Sequence, residues 1–327
     1  MKVVALAGGV GGAKLAHGLA QILTPEELTI IVNTGDDFEH LGLHISPDLD
    51  TVTYTLAGLA NPETGWGLAG ETWNFLEALG RLGGETWFRL GDHDLATHLE
   101  RTRRLRAGES LTEVTAALCA ALEVKHLVLP MSDDPVRTMV QTDEGELEFQ
   151  EYFVHRRCEP SVRGIRFVGG EQALPTLLVT LALETADVIL FCPSNPFVSI
   201  DPILGFPGIR KQVMRKKAAA VSPIVGGQAI KGPAAKMFAE MGMEVSAASV
   251  AAHYGKLLSG FVLDTVDAAL GPAIETGSRR VLVTNTLMRT DADRARLARE
   301  VLDFAIRDMR HRIPFGDGGW PRSGCKR

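Results

Sequence analysis

Residues 2–20 read KVVALAGGVGGAKLAHGLA, and this stretch decides the fold class of the chain. Its apolar opening, residues 2–7, is typical of a buried strand, and the amphipathic residues up to Leu23 are typical of a helix. A glycine-rich turn between a strand and a helix makes a phosphate cradle, because glycine lets the backbone approach an anion and the helix N-terminus presents free N–H groups. We therefore predict phosphate binding at four glycines of the turn: Gly8, Gly9, Gly11 and Gly12.

The turn departs from the common nucleotide-binding fingerprints. Gly9 and Gly11 match the first two glycines of the dinucleotide-binding motif, but Lys14 stands where the third glycine belongs, and no Gly-Lys-Ser/Thr follows for a P-loop. A nicotinamide-dependent oxidoreductase and an ordinary P-loop NTPase are therefore disfavoured. A turn without a ligand is the remaining alternative, although so many glycines carry an entropic cost that a plain turn avoids.

Two acidic motifs follow a predicted buried strand at residues 28–32. They are Asn33-Thr-Gly-Asp-Asp37 and Ser46-Pro-Asp-Leu-Asp-Thr51, and the carboxyl end of such a strand is where open α/β sheets hold their ligands. Carboxylate oxygens suit Mg²⁺, which one or two of them hold while ligand phosphates and water complete the octahedron. A turn followed by a helix N-cap explains the same residues. Both interpretations stay open at this point.

The segment from Arg89 to Arg106 is unusually polar. The guanidinium of Arg89 can clamp a phosphate or carboxylate bidentately. The arginines within residues 101–106 are typical of a solvated helix face. Four further side chains can form a second metal site, although Asp caps at a helix start and solvated histidines explain them equally well: Asp92, His93, Asp94 and His98.

Two later loops also carry candidate ligand residues. Ser194 and Asn195 lie between two prolines after the predicted buried strand 186–192, where they offer rigid hydrogen-bonding groups to a base, ribose or phosphate. A simple proline-bounded turn is the alternative. Gly226 and Gly227 follow the predicted strand 218–222 and make another plausible ligand loop.

Strands and helices alternate along most of the chain, which predicts an α/β fold with a mostly parallel sheet and helices on both faces. We assign residues 1–50 and 125–310 to this core, residues 51–124 to a helical insertion or cap over the ligand edge, and residues 311–327 to a loose tail. Further strands are predicted at 126–130, 148–154, 242–245, 260–263 and 281–284.

Composition limits the possible partners. The 327 residues carry a formal net charge of −6 and only four cysteines, which are scattered. The charge predicts no nucleic-acid partner, and the cysteines suit reduced thiols in a cytoplasm. Apolar runs stay well short of the roughly 18 residues of a membrane span. We expect a cytoplasmic protein without a membrane partner.

The ordered motifs resemble the 2-phospho-L-lactate transferase family of deazaflavin coenzyme F-420 biosynthesis. The resemblance spans residues 1–309 and rests on seven motifs: Gly8-Gly-Val-Gly-Gly-Ala-Lys14, Asn33-Thr-Gly-Asp-Asp37, Ser46-Pro-Asp-Leu-Asp-Thr51, Arg89-Leu-Gly-Asp-His-Asp94, Pro130-Met-Ser-Asp-Asp134, Cys192-Pro-Ser-Asn-Pro196 and Ser222-Pro-Ile-Val-Gly226. It implies a Rossmann-like core, a homodimer and Mg²⁺. It also implies transfer of a phospholactyl or phosphoenolpyruvyl group from a GDP-linked donor to the riboside 7,8-didemethyl-8-hydroxy-5-deazariboflavin (Fo), with release of GMP.

Residue roles follow from the resemblance at matching positions. Asp50 and Arg89 are expected to contact Fo. As a hypothesis about the mechanism, Asp50 or Asp48 is the catalytic carboxylate that orients, and deprotonates, the attacking hydroxyl. Asp36, Asp37 and Asp48 are expected near the metal. The loops that are expected to meet the guanosine donor are 8–12, Ser194–Asn195 and 226–228.

A competing hypothesis comes from another class of protein. Proteins with a related core act as non-catalytic nucleotide-sugar-binding regulators, and they share a glycine-rich start and an acidic turn. The motif from Arg89 to Asp94 and the Ser-Asn-Pro strand end argue against this alternative.

Overall fold

The opening stretch folds as a strand, a tight turn and a helix in a computed structural model that describes residues 1–307 and 309. Strand β1 (Val3–Ala7) is buried along its whole length, and helix α1 (Gly9–Ala20) begins after Gly8. The turn is short because Gly9 has a φ of +61°, a conformation that glycine adopts without strain. The predicted tail at 311–327 lies outside the described residues.

Seven parallel strands form the central sheet, in the order β14-β13-β10-β9-β1-β2-β5. The predicted α/β class with a Rossmann-like parallel sheet is confirmed. Besides β1, the sheet consists of β2 (Leu28–Val32), β5 (Leu127–Pro130), β9 (Val188–Phe191), β10 (Lys217–Val221), β13 (Gly260–Asp264) and β14 (Arg280–Thr284).

The order of the strands reverses next to β1. From β1 the chain adds β2 and β5 on one side, and later β9, β10, β13 and β14 on the other. In doubly wound sheets, ligands bind at the carboxyl ends of the strands where the order reverses. The crevice between β1 and β9 is therefore the position where the fold itself places a ligand.

Side chains of β1 alternate between two buried clusters, one on each face of the sheet. Val4 and Leu6 belong to the first cluster, and Val3, Ala5 and Ala7 to the second. Period-two alternation between two apolar layers is what a parallel sheet with both faces covered requires.

Helices cover both faces of the sheet. Leu15 of α1 and Leu297 of α12 pack on the second cluster, whereas Phe238 and Val250 from the opposite side pack on the first. Across the described residues, none of the helices is long and apolar enough to cross a membrane. The α-helices after α1 are α2 (Pro47–Leu56), α3 (Asn74–Arg81), α4 (Asp92–Arg106), α5 (Leu111–Ala121), α6 (Leu177–Thr185), α7 (Asp201–Leu204), α8 (Ile209–Met214), α9 (Ala234–Glu240), α10 (Ala247–Tyr254), α11 (Gly271–Ile274) and α12 (Asp291–Arg307).

The region assigned to a helical insertion, residues 51–124, contains the second half of α2 and all of α3, α4 and α5. Val52 of α2 and Leu111 of α5 belong to the same buried cluster as α1. These helices therefore share the apolar core of the central sheet, and the division into a core and an insertion stays a prediction.

Three antiparallel elements are not apparent in the sequence pattern. A three-stranded sheet, in the order β7-β6-β8, and two small hairpins lie outside the central sheet. The strand predicted at 148–154 is wrong, because Glu151–His155 is a π-helical turn, and the strand predicted at 242–245 is wrong because that segment is a loop after α9. The additional strands are β3 (Phe38–His40), β4 (Leu43–Ile45), β6 (Arg137–Thr142), β7 (Gly145–Glu148), β8 (Val162–Val168), β11 (Ile224–Val225) and β12 (Gln228–Ala229).

Candidate active site

The glycine turn lies at the crevice between β1 and β9. The backbone N–H of Gly8 donates to Ser194 Oγ at 3.1 Å, and the N–H of Gly9 donates to Asp48 Oδ1 at 2.6 Å. The Asp48 carboxylate thus occupies the anion position at the N-terminus of α1. The turn, the end of β9 and the start of α2 therefore meet at one point.

Close packing explains why three positions of the turn are glycine. A Cβ on Gly8 would overlap Asp48 Oδ2 and lie 2.7 Å from Ser199 Cβ. A Cβ on Gly11 would overlap the carbonyl oxygen of Pro193, and one on Gly12 would lie 2.5 Å from Ser194 Oγ. Residues that follow β9 thus favour glycine at positions 11 and 12, and Asp48 and Ser199 favour it at position 8, whether or not a phosphate binds there.

Asn33 links the two acidic motifs. Its Nδ2 lies 2.7 Å from Asp36 Oδ1, 3.0 Å from Asp48 Oδ2 and 3.1 Å from the carbonyl oxygen of Val198. Because both carboxylates face the same nitrogen, their oxygens lie within a few ångströms of each other. The second oxygen of Asp36 accepts a hydrogen bond from Gln150 Nε2 at 3.2 Å.

Asp37 faces a different set of partners. Its Oδ2 accepts from Ser46 Oγ at 2.7 Å and lies 3.2 Å from His44 Nε2. Its Oδ1 is buried and has no hydrogen-bond partner. An unpartnered buried carboxylate oxygen is unusual, because burial without a partner carries a desolvation penalty.

Burial and mutual repulsion perturb these carboxyl groups. The pKa of Asp36 is raised well above its usual range, first by burial and then by the charges of Asp48 and Asp37. Burial raises the pKa of Asp48 to about 6, against hydrogen bonds from Asn33 and Gly9 that favour its charged form. A cation between Asp36 and Asp48 would offset both causes.

The chemistry of these groups fits a divalent cation. Asp36 and Asp48 offer hard oxygen ligands on adjacent elements, and Mg²⁺ commonly uses one or two carboxylates. Asp37 lies beside them with an unused oxygen. The pair Asp36 and Asp48 therefore suits the metal role that the sequence suggests, whereas Asp36, Asp37 and Asp48 do not bring three ligand atoms within 4.8 Å of one another. The metal role of these three residues stays a prediction.

Asp50 faces away from Asp48. Two residues along an α-helix rotate the side chain by about 200°, and Asp50 instead forms a buried, bidentate ion pair with Arg101 of α4. Burial raises the pKa of Asp50, and the positive charge of Arg101 opposes that shift. The two candidate catalytic carboxylates, Asp48 and Asp50, therefore belong to separate networks on opposite sides of α2.

The residues of the candidate second metal site do not all come together in the folded chain. Asp94 and His98 join Asp50, and in the described part of the chain these three form the one group whose metal-ligand atoms all lie within 4.8 Å of one another. Asp92 instead caps α3 by accepting from the N–H groups of Asn74 and Phe75 at 3.1 Å and 3.0 Å.

The remaining candidate residues lie in three places. Arg89 is exposed, and its guanidinium lies 4.1 Å from the centre of the Trp73 ring. Asn195 accepts from the N–H of Phe197 at 3.0 Å and so caps the turn after β9. Gly226 and Gly227, both with positive φ, form the two-residue turn of the β11–β12 hairpin.

The sequence interpretation missed Arg101, the strongest partner of Asp50. Arg101 lies in the arginine run that predicts a solvated face, and yet its side chain is buried, whereas Arg103 on the same helix is exposed. No local signal separates the two arginines, because only the packing of α4 against α2 decides which one is buried.

Fold and site together define a class, the Rossmann-like α/β proteins with a glycine-lined, acidic ligand crevice at the point where the strand order reverses. The family model described as "2-phospho-L-lactate transferase CofD" matches residues 3–301. The chain belongs to this CofD family.

Similar proteins support the assignment. The chain is 46% identical to a phosphoenolpyruvate transferase of Streptomyces griseus over 314 residues, covering 93% of this chain and 98% of the relative. It is 40% identical to a 2-phospho-L-lactate transferase of Methanosarcina acetivorans over 304 residues, with the same two coverages. A solved UPF0052-family protein of Bacillus halodurans has the same fold, with a TM-score of 0.58, 14% identity, and coverage of 92% of this chain and 98% of its own.

Proposed function

We propose that this protein is a Mg²⁺-dependent transferase of coenzyme F-420 biosynthesis that moves a phospholactyl or phosphoenolpyruvyl group from a GDP-linked donor to Fo. Membership of the CofD family and the names of its relatives, phosphoenolpyruvate transferase and 2-phospho-L-lactate transferase, support the transfer of a phosphate that bears a three-carbon acid. The single observation that carries the proposal is the crevice where the Gly9 N–H donates to Asp48 and where Asn33 joins Asp48 to Asp36.

The reaction is a displacement at phosphorus. The terminal ribityl hydroxyl of Fo forms a bond to the phosphorus that bears the three-carbon acid, and the bond from that phosphorus to the bridging oxygen of the donor breaks. GMP leaves with the bridging oxygen, and the hydroxyl proton passes to a base or to water. Positioning and charge stabilisation supply most of the rate in such transfers.

Different residues at the crevice would bind the metal ion and the phosphates of the donor. Asp36 and Asp48 would hold Mg²⁺, which would neutralise charge on the donor diphosphate. The amides of Gly8 and Gly9 and the hydroxyl of Ser194 would hold phosphate oxygens. The Gly9 N–H donates to Asp48. When the donor substrate binds, this N–H would donate to a phosphate oxygen instead.

Asp50 and Arg89 are proposed to serve the acceptor. Each carboxylate oxygen of Asp50 accepts from Arg101 and keeps a further lone pair, which can accept the proton of the ribityl hydroxyl in a hydrogen bond. Arg89 lies with its guanidinium on the face of Trp73, a flat surface suited to an aromatic ring system such as the deazaflavin.

Product analysis tests the proposal directly. The protein is incubated with Fo, Mg²⁺ and each candidate guanosine donor, and products are identified by mass spectrometry. We expect GMP and an Fo phosphodiester with one donor. Absence of both products with every donor would refute the transfer.

A binding measurement separates the transferase from the regulator. Fluorescence titration should show saturable quenching of Fo, with little response to UDP-sugars. Tight UDP-sugar binding without a response to Fo would favour the nucleotide-sugar-binding regulator. The same preparation examined by light scattering tests the proposed homodimer.

A further inference from the structure

Behind Asp50 lies a connected row of mostly buried polar side chains. Arg101 Nη1 donates to Asp50 Oδ2 at 3.0 Å and lies 3.2 Å from His98 Nδ1. On the other side of the imidazole, Nε2 lies 3.3 Å from Asp94 Oδ2, and Asp94 Oδ1 accepts from the Tyr54 hydroxyl at 2.7 Å. The row therefore runs Tyr54, Asp94, His98, Arg101, Asp50. We call it the Asp50 relay.

The donor and acceptor roles within the relay follow from chemistry. A guanidinium only donates, so His98 Nδ1 must accept from Arg101. The proton of the neutral imidazole is then on Nε2, which lies 3.3 Å from Asp94 Oδ2 but has no hydrogen-bond partner of good geometry. The relay thus fixes one tautomer of His98 and one orientation of its ring.

Two further contacts make the far end of the relay rigid. The carboxylate of Glu71 accepts from the backbone N–H groups of His93 at 2.9 Å and Asp94 at 2.7 Å, which fixes the first turn of α4. Tyr54 is 1% exposed, so its hydroxyl has little freedom to leave Asp94. Contacts with Glu71 and Tyr54 therefore fix the position of Asp94 next to His98.

The cluster suits a relay better than a metal site. Asp50, Asp94 and His98 have ligand atoms close enough for a cation, but a metal there would lie next to the buried guanidinium of Arg101. Repulsion between two buried cations is strong, and Arg101 would lose its partner. Arg101 takes the place that a cation would have beside Asp50.

We propose that Arg101 and His98 are positioning residues that hold the Asp50 carboxylate toward the ribityl hydroxyl of the acceptor. This inference rests on the proposed transfer to Fo. The bidentate pair fixes the plane of the carboxylate, and His98 fixes the guanidinium in turn. A misplacement of about 1 Å at the reacting groups lowers a rate by roughly 10²-fold.

Three substitutions test three successive members of the relay. Arg101→Lys keeps the charge but removes the bidentate geometry. His98→Asn breaks the middle of the relay, and Asp94→Asn removes the charge at its far end with little change of shape. Arg103→Lys is the matched control, because Arg103 lies on the same helix with an exposed side chain paired to Glu100.

The readout is kcat and the two KM values, measured beside the unfolding midpoint. For Arg101→Lys and His98→Asn we expect kcat to fall by roughly 10- to 100-fold, while the KM for the guanosine donor stays within about twofold of wild type. Arg103→Lys should match wild type in every parameter. For Asp94→Asn we expect a smaller fall in kcat and the same donor KM.

The outcomes separate the relay from a structural role and from the proposed function. A lower unfolding midpoint with unchanged kcat in His98→Asn and Asp94→Asn would overturn the relay. If Arg101→Lys fails to fold, ¹⁵N NMR of the wild-type imidazole decides, since a proton on Nδ1 of His98 overturns the relay and one on Nε2 supports it. A folded wild-type protein without transfer to Fo would refute the proposed function, and the relay with it.

Discussion

Replacing Asp48 by asparagine should make the metal-free protein more stable at neutral pH. Burial raises the pKa of Asp48 to about 6 from an ordinary value of 3.8, and one pKa unit corresponds to about 1.4 kcal/mol. Keeping this carboxylate ionised in the folded protein therefore costs about 3 kcal/mol at pH 7. The Asp48→Asn variant would lose one hydrogen bond, from Asn33, worth about 1 kcal/mol. A net gain of about 2 kcal/mol remains.

The sign of the pH dependence follows from linkage. Because the folded pKa of Asp48 is raised, its contribution to stability is complete below about pH 4 and is lost as pH rises through about 6. The difference in unfolding midpoint between Asp48→Asn and wild type should thus be near zero or slightly negative at about pH 4. It should become positive by roughly 3 °C at about pH 7.5, because the unfolding entropy of a chain of 327 residues is about 0.7 kcal/mol/K.

Thermal unfolding in a chelator, measured at several pH values, checks this expectation. Glu171→Gln, at an exposed carboxylate, is the control and should show no such change. Addition of Mg²⁺ at about pH 7.5 should raise the midpoint of wild type and leave Asp48→Asn unchanged. A difference between variant and wild type that is constant across this pH range would refute the electrostatic reasoning, and equal Mg²⁺ effects on both proteins would remove Asp48 from the metal site.

Three further predictions concern packing and the acceptor. Gly11→Ala should lower the free energy of unfolding by about 1–3 kcal/mol, because its Cβ would overlap a backbone oxygen of Pro193. Denaturant titration measures this loss, and the control Gly277→Ala, which has no atom near its Cβ, should leave the free energy of unfolding unchanged. Gly18→Ala should destabilise by a similar amount, because its Cβ would overlap the backbone of Arg294 in α12; an unchanged midpoint would contradict the close contact of α1 with α12. Arg89→Ala should weaken Fo binding by at least roughly tenfold, about 1.4 kcal/mol, without affecting donor binding; equal Fo affinity in both proteins would remove Arg89 from the acceptor site.

Much of the ligand crevice is readable from local sequence. The strand–glycine–helix order of residues 2–20 and the acidic motif after β2 locate one edge of the sheet, because parallel strands all end at the same edge. The antiparallel sheet of β6 to β8 escaped prediction, since its strands mix exposed and buried residues without a clean alternation.

Sequence by itself determined the parallel α/β fold and the residue types of the crevice, because buried strands, glycine turns and acidic helix starts each have a pattern within a few residues. Only the tertiary structure decided that Asn33 faces both Asp36 and Asp48, and that Asp50 pairs with Arg101, 51 residues away. The first pairing depends on how the loop after β2 meets the start of α2, and the second depends on how α2 packs against α4. That packing also decides which of several arginines on one helix becomes buried, and no local sequence pattern predicts it.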